Sequence, residues 1–467
     1  MKENIRQEMN THTVGVAGDV KVSLKEKFCY AIGDPACNVV FALTTTLLTF
    51  FYTDYIGVSA GTIGLIMLIS RIFDGGSDVL MGIITDRTHS KHGKARPWIL
   101  WMTIPYVITA IALFMIPAGA SDMVKAIYIF VTYNLVNTVV YTALTLPYGT
   151  LASLMTRNQH EREITNILRM GVSPFGRILT TSCTLPLVKL LGDDQRAWII
   201  STAVFCIIAM VMLFTCFFAT KERVKVEAAA QEKVPVGKSL KALFVNKYWA
   251  LAMALWGMLS VYSTVIGTDL TYYCKYILGN DLYMSPIYTA EQVPMVVIIF
   301  LMPLGLKKFG KRNMALAGAI LVVLGQLLFF INPYSFELAM VSAVIKGIGQ
   351  APLFGAIFSL IADSIEYGQW KTHLRIEGMI YSAASVGSKL GAGLTSALLG
   401  LILDNAGYNG LAAAQSATAI SAISNIFMYG PIIVWGITAL FLYLWKLEKQ
   451  YPSIMEELAA REARGEL

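Results

Sequence analysis

Residues 70–100 read "SRIFDGGSDVLMGIITDRTHSKHGKARPWIL". The first part places Arg71, Asp74 and Asp78 inside an apolar run, and the second crowds Arg87, Lys91, Lys94 and Arg96 into a short gap. On a helix the first three fall at i, i+3 and i+7, within one narrow stripe. A charge at mid-membrane costs about 3 kcal/mol on insertion scales, so three unpaired charges would cost roughly 9 kcal/mol. They must therefore meet one another or a common ion. One arginine offsets one carboxylate, and the residual negative charge suits a small hard cation such as Na⁺, or a proton. The alternative is an ion-pair brace between helices that binds nothing. Spacing alone leaves both open.

The surrounding chain makes the bilayer its solvent. Of 467 residues, 56% are hydrophobic and 14% charged, with a mean hydropathy of +0.59, whereas soluble domains carry roughly a quarter charged residues. Apolar stretches of helical length recur, and alternating ten-residue strand segments do not, so the expectation is an all-α membrane protein. Apolar windows predict twelve spans at 28–52, 60–85, 97–118, 124–150, 165–190, 198–220, 248–277, 286–306, 313–332, 336–363, 378–403 and 424–446. The polar N-terminus has no short apolar core with a cleavage site, so no removable signal peptide is expected. Cys29, Cys37, Cys183, Cys206, Cys216 and Cys274 lack metal or CxxC spacing and read as small core residues.

The longest polar gap, around 221–247, divides the spans into two six-helix bundles, 28–220 and 248–446, with tails at 1–27 and 447–467. Loop by loop, nineteen Lys and Arg residues lie on one side of this topology, against Lys125, Lys189, Arg196 and Lys275 on the other. Basic residues concentrate on the cytoplasmic side, so both termini and the linker are expected there, in the cytoplasmic membrane. The same clustering accounts for the net charge of +7 without a nucleic-acid partner. Gly93-Lys94 and Gly310-Lys311, 217 residues apart, follow the second span of each bundle. A basic glycine turn at matching places in two six-helix halves suggests a duplicated transporter core of major-facilitator architecture, with substrate between the halves.

Further polar residues line up with that reading. Asp34 and Asn38, four apart around Pro35 in "YAIGDPACNVVF", share a face of the first span and offer oxygen ligands or a substrate wall; the alternative is a polar contact that glues the bundle. Tyr141, Thr145 and Tyr148 in "YTALTLPYGTL" supply hydroxyls and ring faces suited to a sugar, or plain packing. Arg169 can point into a cavity or snorkel to the interface. Lys389 lies too deep to snorkel, with Ser385 one turn earlier, and must face a cavity or partner. Asp363, Glu366, Lys371, Arg375 and Glu377 alternate in sign near a basic loop, as either a solvated face or a gate, and Asp86 and Arg87 close the opening stripe in the same way.

These pieces resemble the glycoside-pentoside-hexuronide:cation symporters of the major facilitator superfamily, the family of the melibiose and glucuronide permeases. The likeness runs from Lys25 to Lys446 through "YAIGDPACN", "FFYTDYIGVSAGTIG", the stretch at 70–100, "LTLPYGTLASLMT", "EYGQWKTHLRIEG" and Lys389. It implies a cation site at Asp74 and Asp78 with the lysine at 389 nearby, and Ser77 and Asn38 as further candidate ligands. It also implies sugar contacts at Asn38, Thr145, Gly149 and Arg169, which join Asp34, Tyr148, Ser385 and Lys389, candidates by their own placement in the spans. Cys37-Asn38, Thr145 and Gly149 depart from the melibiose permease pattern, which speaks against an α-galactoside; GDxAxN and PYGxLA are more similar to the glucuronide and pentoside members. The expectation is a monomeric, cofactor-free, non-enzymatic symporter of a glycoside, pentoside or hexuronide coupled to Na⁺ or H⁺, with Li⁺ a further option. Its rivals are a same-fold carrier of a lysolipid, steroid or drug, and a membrane sensor without flux.

Overall fold

The computed structural model describes residues 21–117, 119–156, 158–224, 236–374, 376–412 and 414–464. Arg375 lies outside these, as do the side chains of Asp86 and Glu377, so the gate charges expected at those three positions fall outside the described residues. Every described secondary-structure element is helical. Twelve long rods form: α1 (Leu24–Asp54), α2 (Ala60–Arg87), α3 (Arg96–Ala112), α4 (Asp122–Met155), α5 (Gln159–Leu190) and α6 (Gln195–Ala219). After the short α7 (Val236–Val245) come α8 (Lys247–Tyr276), α9 (Met284–Phe309), α10 (Lys311–Phe329), α11 (Phe336–Thr372), α12 (Glu377–Asn405) and α13 (Ala417–Leu444). The sequence reading left 447–467 as a tail, but it contains α14 (Leu447–Ala463), which buries Ile454 and Leu458 against α11.

Among the described residues, nine rods are long and apolar enough to cross a membrane by length and composition. The exceptions are instructive: α3 has 17 residues, while α2 carries Arg71, Asp74 and Asp78 and α5 carries Arg169 and Arg177. Hydropathy is lowest where charge is needed. Cys37, Cys206, Cys216 and Cys274 are buried as expected of small core residues, but Cys29 is half-buried and Cys183 is exposed on α5.

The repeated Gly-Lys turns have a structural cause that spacing did not reveal. Glu222, just past α6, accepts hydrogen bonds from the backbone N–H groups of Lys94 (2.9 Å), Ala95 (2.8 Å) and Arg96 (2.7 Å) at the start of α3. Glu448, just past α13, does the same for Lys311 (2.7 Å) and Arg312 (3.3 Å) at the start of α10. Each carboxylate satisfies orphan donors and sits at the positive end of a helix dipole. Gly93 (φ 104°) and Gly310 (φ 76°) adopt the left-handed region, and a Cβ at either would run into the capping carboxylate. Replacing Glu222 by Ala leaves three N–H groups without that acceptor, at a cost of about 2 kcal/mol. The expected result is a lower thermal midpoint in detergent, and an unchanged midpoint would show that the cap is dispensable.

α1 is interrupted twice. It breaks at Ile32, one turn before Pro35, whose missing N–H cannot extend the ladder. It then widens into a π-helical turn at Leu43–Leu47, matched by another at Leu135–Tyr141 in α4. The first six rods meet the last six chiefly through α2 on α12, α5 on α9 and α1 on α8. Glycines permit the closest of these approaches: a Cβ at Gly64 would strike the α12 backbone at Ser396, and one at Gly267 would lie 2.9 Å from the Thr45 carbonyl.

Candidate functional site

α2 and α4 run parallel and in register, so residues 64 apart face each other in three successive turns. Asn134 Nδ2 donates to Ser70 Oγ at 2.9 Å, Thr138 Oγ1 to Asp74 Oδ1 at 2.5 Å, and Thr142 Oγ1 to Asp78 Oδ1 at 3.4 Å. The π-helical turn of α4 contains Thr138, and its irregular backbone leaves the Thr138 carbonyl to accept a hydrogen bond from Ser77 Oγ. Arg71 Nη1 lies 3.1 Å from the other oxygen of Asp74. Two carboxylates, two threonine hydroxyls and a serine thus converge, a hard-oxygen set that fits a small cation.

The residual charge expected from Arg71, Asp74 and Asp78 is already met. Lys389 reaches across from α12 and forms an ion pair with Asp78 Oδ2. Each acid thus has its own base, and a cation binding here would have to displace a base from its carboxylate. The Lys389 pair is the more accessible of the two: the Asp78 and Lys389 side chains are 35% and 25% exposed, against 6% for Asp74. Ser385 is half-buried one turn away on α12.

Asn38 does not join these acids. Its amide donates to Asp34 O (3.0 Å), Asp34 Oδ2 (3.2 Å) and Ser173 Oγ (3.1 Å), tying α1 to α5. Arg169 turns inward rather than snorkelling: its Nε is 4.0 Å from Asp34 Oδ1 and its Nη1 donates to the Tyr30 hydroxyl at 3.4 Å. Arg169, Ser173 and Arg177 fall at i, i+4 and i+8 and make one polar stripe along α5. Arg177 Nη2 donates to Ser263 Oγ of α8 at 3.1 Å, across the halves. The sequence reading passed over Ser173 and Arg177, although the four-residue steps beyond Arg169 were the available signal.

Two residues expected as sugar contacts donate their hydroxyl protons within the bundle. Tyr148 is 2% exposed, stacked on Tyr30 at 4.9 Å, with its hydroxyl spent on the Tyr30 carbonyl. Thr145 donates to the Tyr141 carbonyl at 2.8 Å, and Tyr141 stacks on Phe41 at 5.7 Å. Gly149, in contrast, opens on space: nothing lies within 4 Å of where a Cβ would sit.

The expected gate charges divide. Arg71 belongs to the Asp74 pair, and Arg87 is exposed at the end of α2. Asp363 pairs with Lys311 at 2.5 Å within its own half, so it braces α11 to α10 instead of bridging the halves. Glu366, one turn on, is half-buried. A bridging cluster lies at the opposite ends of the helices, at a place the sequence reading had assigned no role. There Asp54, 1% exposed, accepts from Lys275 (2.5 Å), Tyr276 (2.9 Å) and Tyr408 (2.6 Å), and Thr53 bonds the Tyr272 hydroxyl at 2.8 Å. Lys189 adds an ion pair to Asp281 at 3.0 Å. The second half also buries an acid of its own: Glu291, 217 residues after Asp74, accepts from Tyr262 (2.7 Å) and Gln350 (3.0 Å) and faces Lys346 at 3.8 Å.

Comparison with known proteins matches residues 29–449 to a family described as "MFS/sugar transport protein". The chain is 32% identical to the "Isoprimeverose transporter" of Lactiplantibacillus pentosus, over 95% of this chain and 93% of that protein. It is 31% identical to the "Glucuronide carrier protein homolog" of Escherichia coli (strain K12), over 81% of this chain and 83% of that protein. Among solved structures, that of a D-xylose-proton symporter superposes with a TM-score of 0.63 at 12% identity, covering 91% of this chain and 97% of that one. The likeness is to its fold.

Proposed function

Because the chain belongs to the MFS/sugar transport family, a family of multi-pass membrane transporters and not of enzymes, we propose that this sugar transporter is a cation-coupled symporter. Its substrate is a glycoside, pentoside or hexuronide, and its coupling ion is Na⁺ or H⁺. The observation that carries this reading is the Lys389–Asp78 ion pair across the two halves. A cation entering between Asp74 and Asp78, with Thr138 and Thr142 supplying hydroxyls, competes with Lys389 for Asp78. Its arrival alters a tie between α2 and α12, so cation occupancy and the relative position of the halves bias each other. Sugar binding among Asp34, Asn38, Ser173 and Arg169 is then linked to the cation, and each ligand tightens the other by the same factor. With the linker side cytoplasmic, a membrane potential of 100 mV adds about 2.3 kcal/mol per charge carried inward.

The Asp54 cluster supports alternating access. It ties the two halves together at the far ends of the helices around the Asp54 carboxylate, whose side chain is 1% exposed. Asp54→Asn removes a nearly buried charge that four donors address, a change of about 2 kcal/mol against the sealed state. Spin labels at exposed far-side positions 190 and 334 should then report a longer mean separation than in the parent. An unchanged distance distribution would mean that the cluster is not the seal.

The test of function is uptake into proteoliposomes of a panel of radiolabelled pentosides, hexosides and hexuronides, with and without Na⁺ and pH gradients. Gradient-stimulated uptake of at least one member is expected. Absence of uptake across the panel contradicts the reading.

A further inference from the structure

We infer that Arg177 is the receptor for an anionic group on the transported sugar, so that the substrate is a glycoside bearing a carboxylate or sulfonate. The inference rests on the sugar-symport reading and deepens it. Among the described residues around the space between the halves, three basic side chains have an acid: Arg71 has Asp74, Lys389 has Asp78 and Arg169 has Asp34. Arg177 has none. Its Nη2 donates to the neutral Ser263 hydroxyl at 3.1 Å, its other neighbours are the neutral Tyr288 hydroxyl and the Phe41 ring, 5.8 Å from the guanidinium to the centroid, and its buried Nε–H, like that of Arg169, has no hydrogen-bond partner. An uncompensated charge midway along a membrane helix is costly and is retained where a ligand uses it. A coupling cation would add a second positive charge to the same space, which a monoanionic substrate then offsets. A guanidinium presents two donors in a fork that matches carboxylate and sulfonate oxygens, and the aromatic ring beside it limits hydration.

Arg177 also occupies a useful place. It lies two turns beyond Arg169 on the same stripe of α5, roughly 12 Å along the axis, and it bonds α8 of the opposite half. An anion held there contacts both halves at once, while the sugar ring extends along Ser173 toward Asp34 and Asn38.

The experiment compares three radiolabelled probes, in whichever sugar series the uptake panel identifies: the neutral glycoside, the matching uronide and the matching 6-sulfonate. Proteoliposomes of the parent are expected to favour at least one anionic probe by about 10- to 100-fold in apparent affinity, the range for a hydrogen bond to a charged group. The carboxylate and sulfonate arms tell which anion it is. In Arg177→Gln the ratio should fall close to one, and Arg177→Lys, which keeps the charge but not the fork, should retain part of it. If Arg177→Gln is not recovered in the membrane, a parent-like ratio in Arg177→Lys overturns the inference and a reduced one supports it. Transport without preference for an anion, or a preference that survives Arg177→Gln, overturns this inference and leaves sugar symport standing. No transport of any sugar in the panel overturns both.

Discussion

In proteoliposomes, Asp78→Asn is expected to abolish cation-stimulated uptake while the protein still assembles in the membrane. The change removes the charge for which Lys389 and the cation compete, yet it keeps the side chain's size and an oxygen for Thr142. Removing one partner of a desolvated charge pair costs about 2–5 kcal/mol, or roughly 30- to several-thousand-fold. Asp78 is 35% exposed, so the lower part of that range applies. Even there, cation affinity falls enough to leave only uncoupled background flux. Cation-stimulated uptake at the parent rate would remove Asp78 from the cation site.

The second large effect is expected at Arg169. Arg169→Ala withdraws a guanidinium that approaches Asp34 at 4.0 Å and donates to the Tyr30 hydroxyl at 3.4 Å. Both contacts are long, which leaves donors available to a sugar hydroxyl, so the loss should appear mainly in substrate binding. A charge-assisted hydrogen bond contributes about 1.5–3 kcal/mol, so sugar affinity should weaken by about 10- to 100-fold. Cation affinity should change much less, because Asp74 and Asp78 sit on α2, bonded to Thr138 and Thr142 of α4, and share no contact with Arg169 among the described residues. Unaltered sugar affinity would make Arg169 a structural tie between α5 and α1.

What the sequence made legible follows from the periodicities it can encode. Asp74, Asp78 and Arg71 share a stripe because α2 is regular, and the two acids, with Ser70 one turn earlier, meet α4. The contacts of α4 with the acids were not legible, because Asn134, Thr138 and Thr142 are ordinary polar residues of an apolar span and the π-helical turn at Leu135–Tyr141 leaves no mark in the sequence. Thr138 and Thr142 reach Asp74 and Asp78, and Asn134 reaches Ser70. The alternation of charges at 363–377 suggested a gate, yet the sequence holds no record that Lys311, 52 residues away, claims Asp363. The Asp54 seal was hidden for a similar reason. Its partners come from 221 and 354 residues downstream, and each looks like an ordinary interfacial lysine or tyrosine on its own. The reading of a carrier for a lysolipid, steroid or drug required an apolar cavity beside Thr145 and Lys389; the charged and hydroxylated stripes of α1, α2 and α5 favour a sugar.

The linkage between the two ligands tests the central claim most directly. For purified protein, the dissociation constant of the transported sugar is measured with and without saturating coupling cation, and that of the cation with and without saturating sugar. The account predicts that each constant tightens by the same factor, on the order of 5- to 150-fold, and that the factor collapses to one in Asp78→Asn. Sugar affinity that is indifferent to the cation in the parent protein would contradict it.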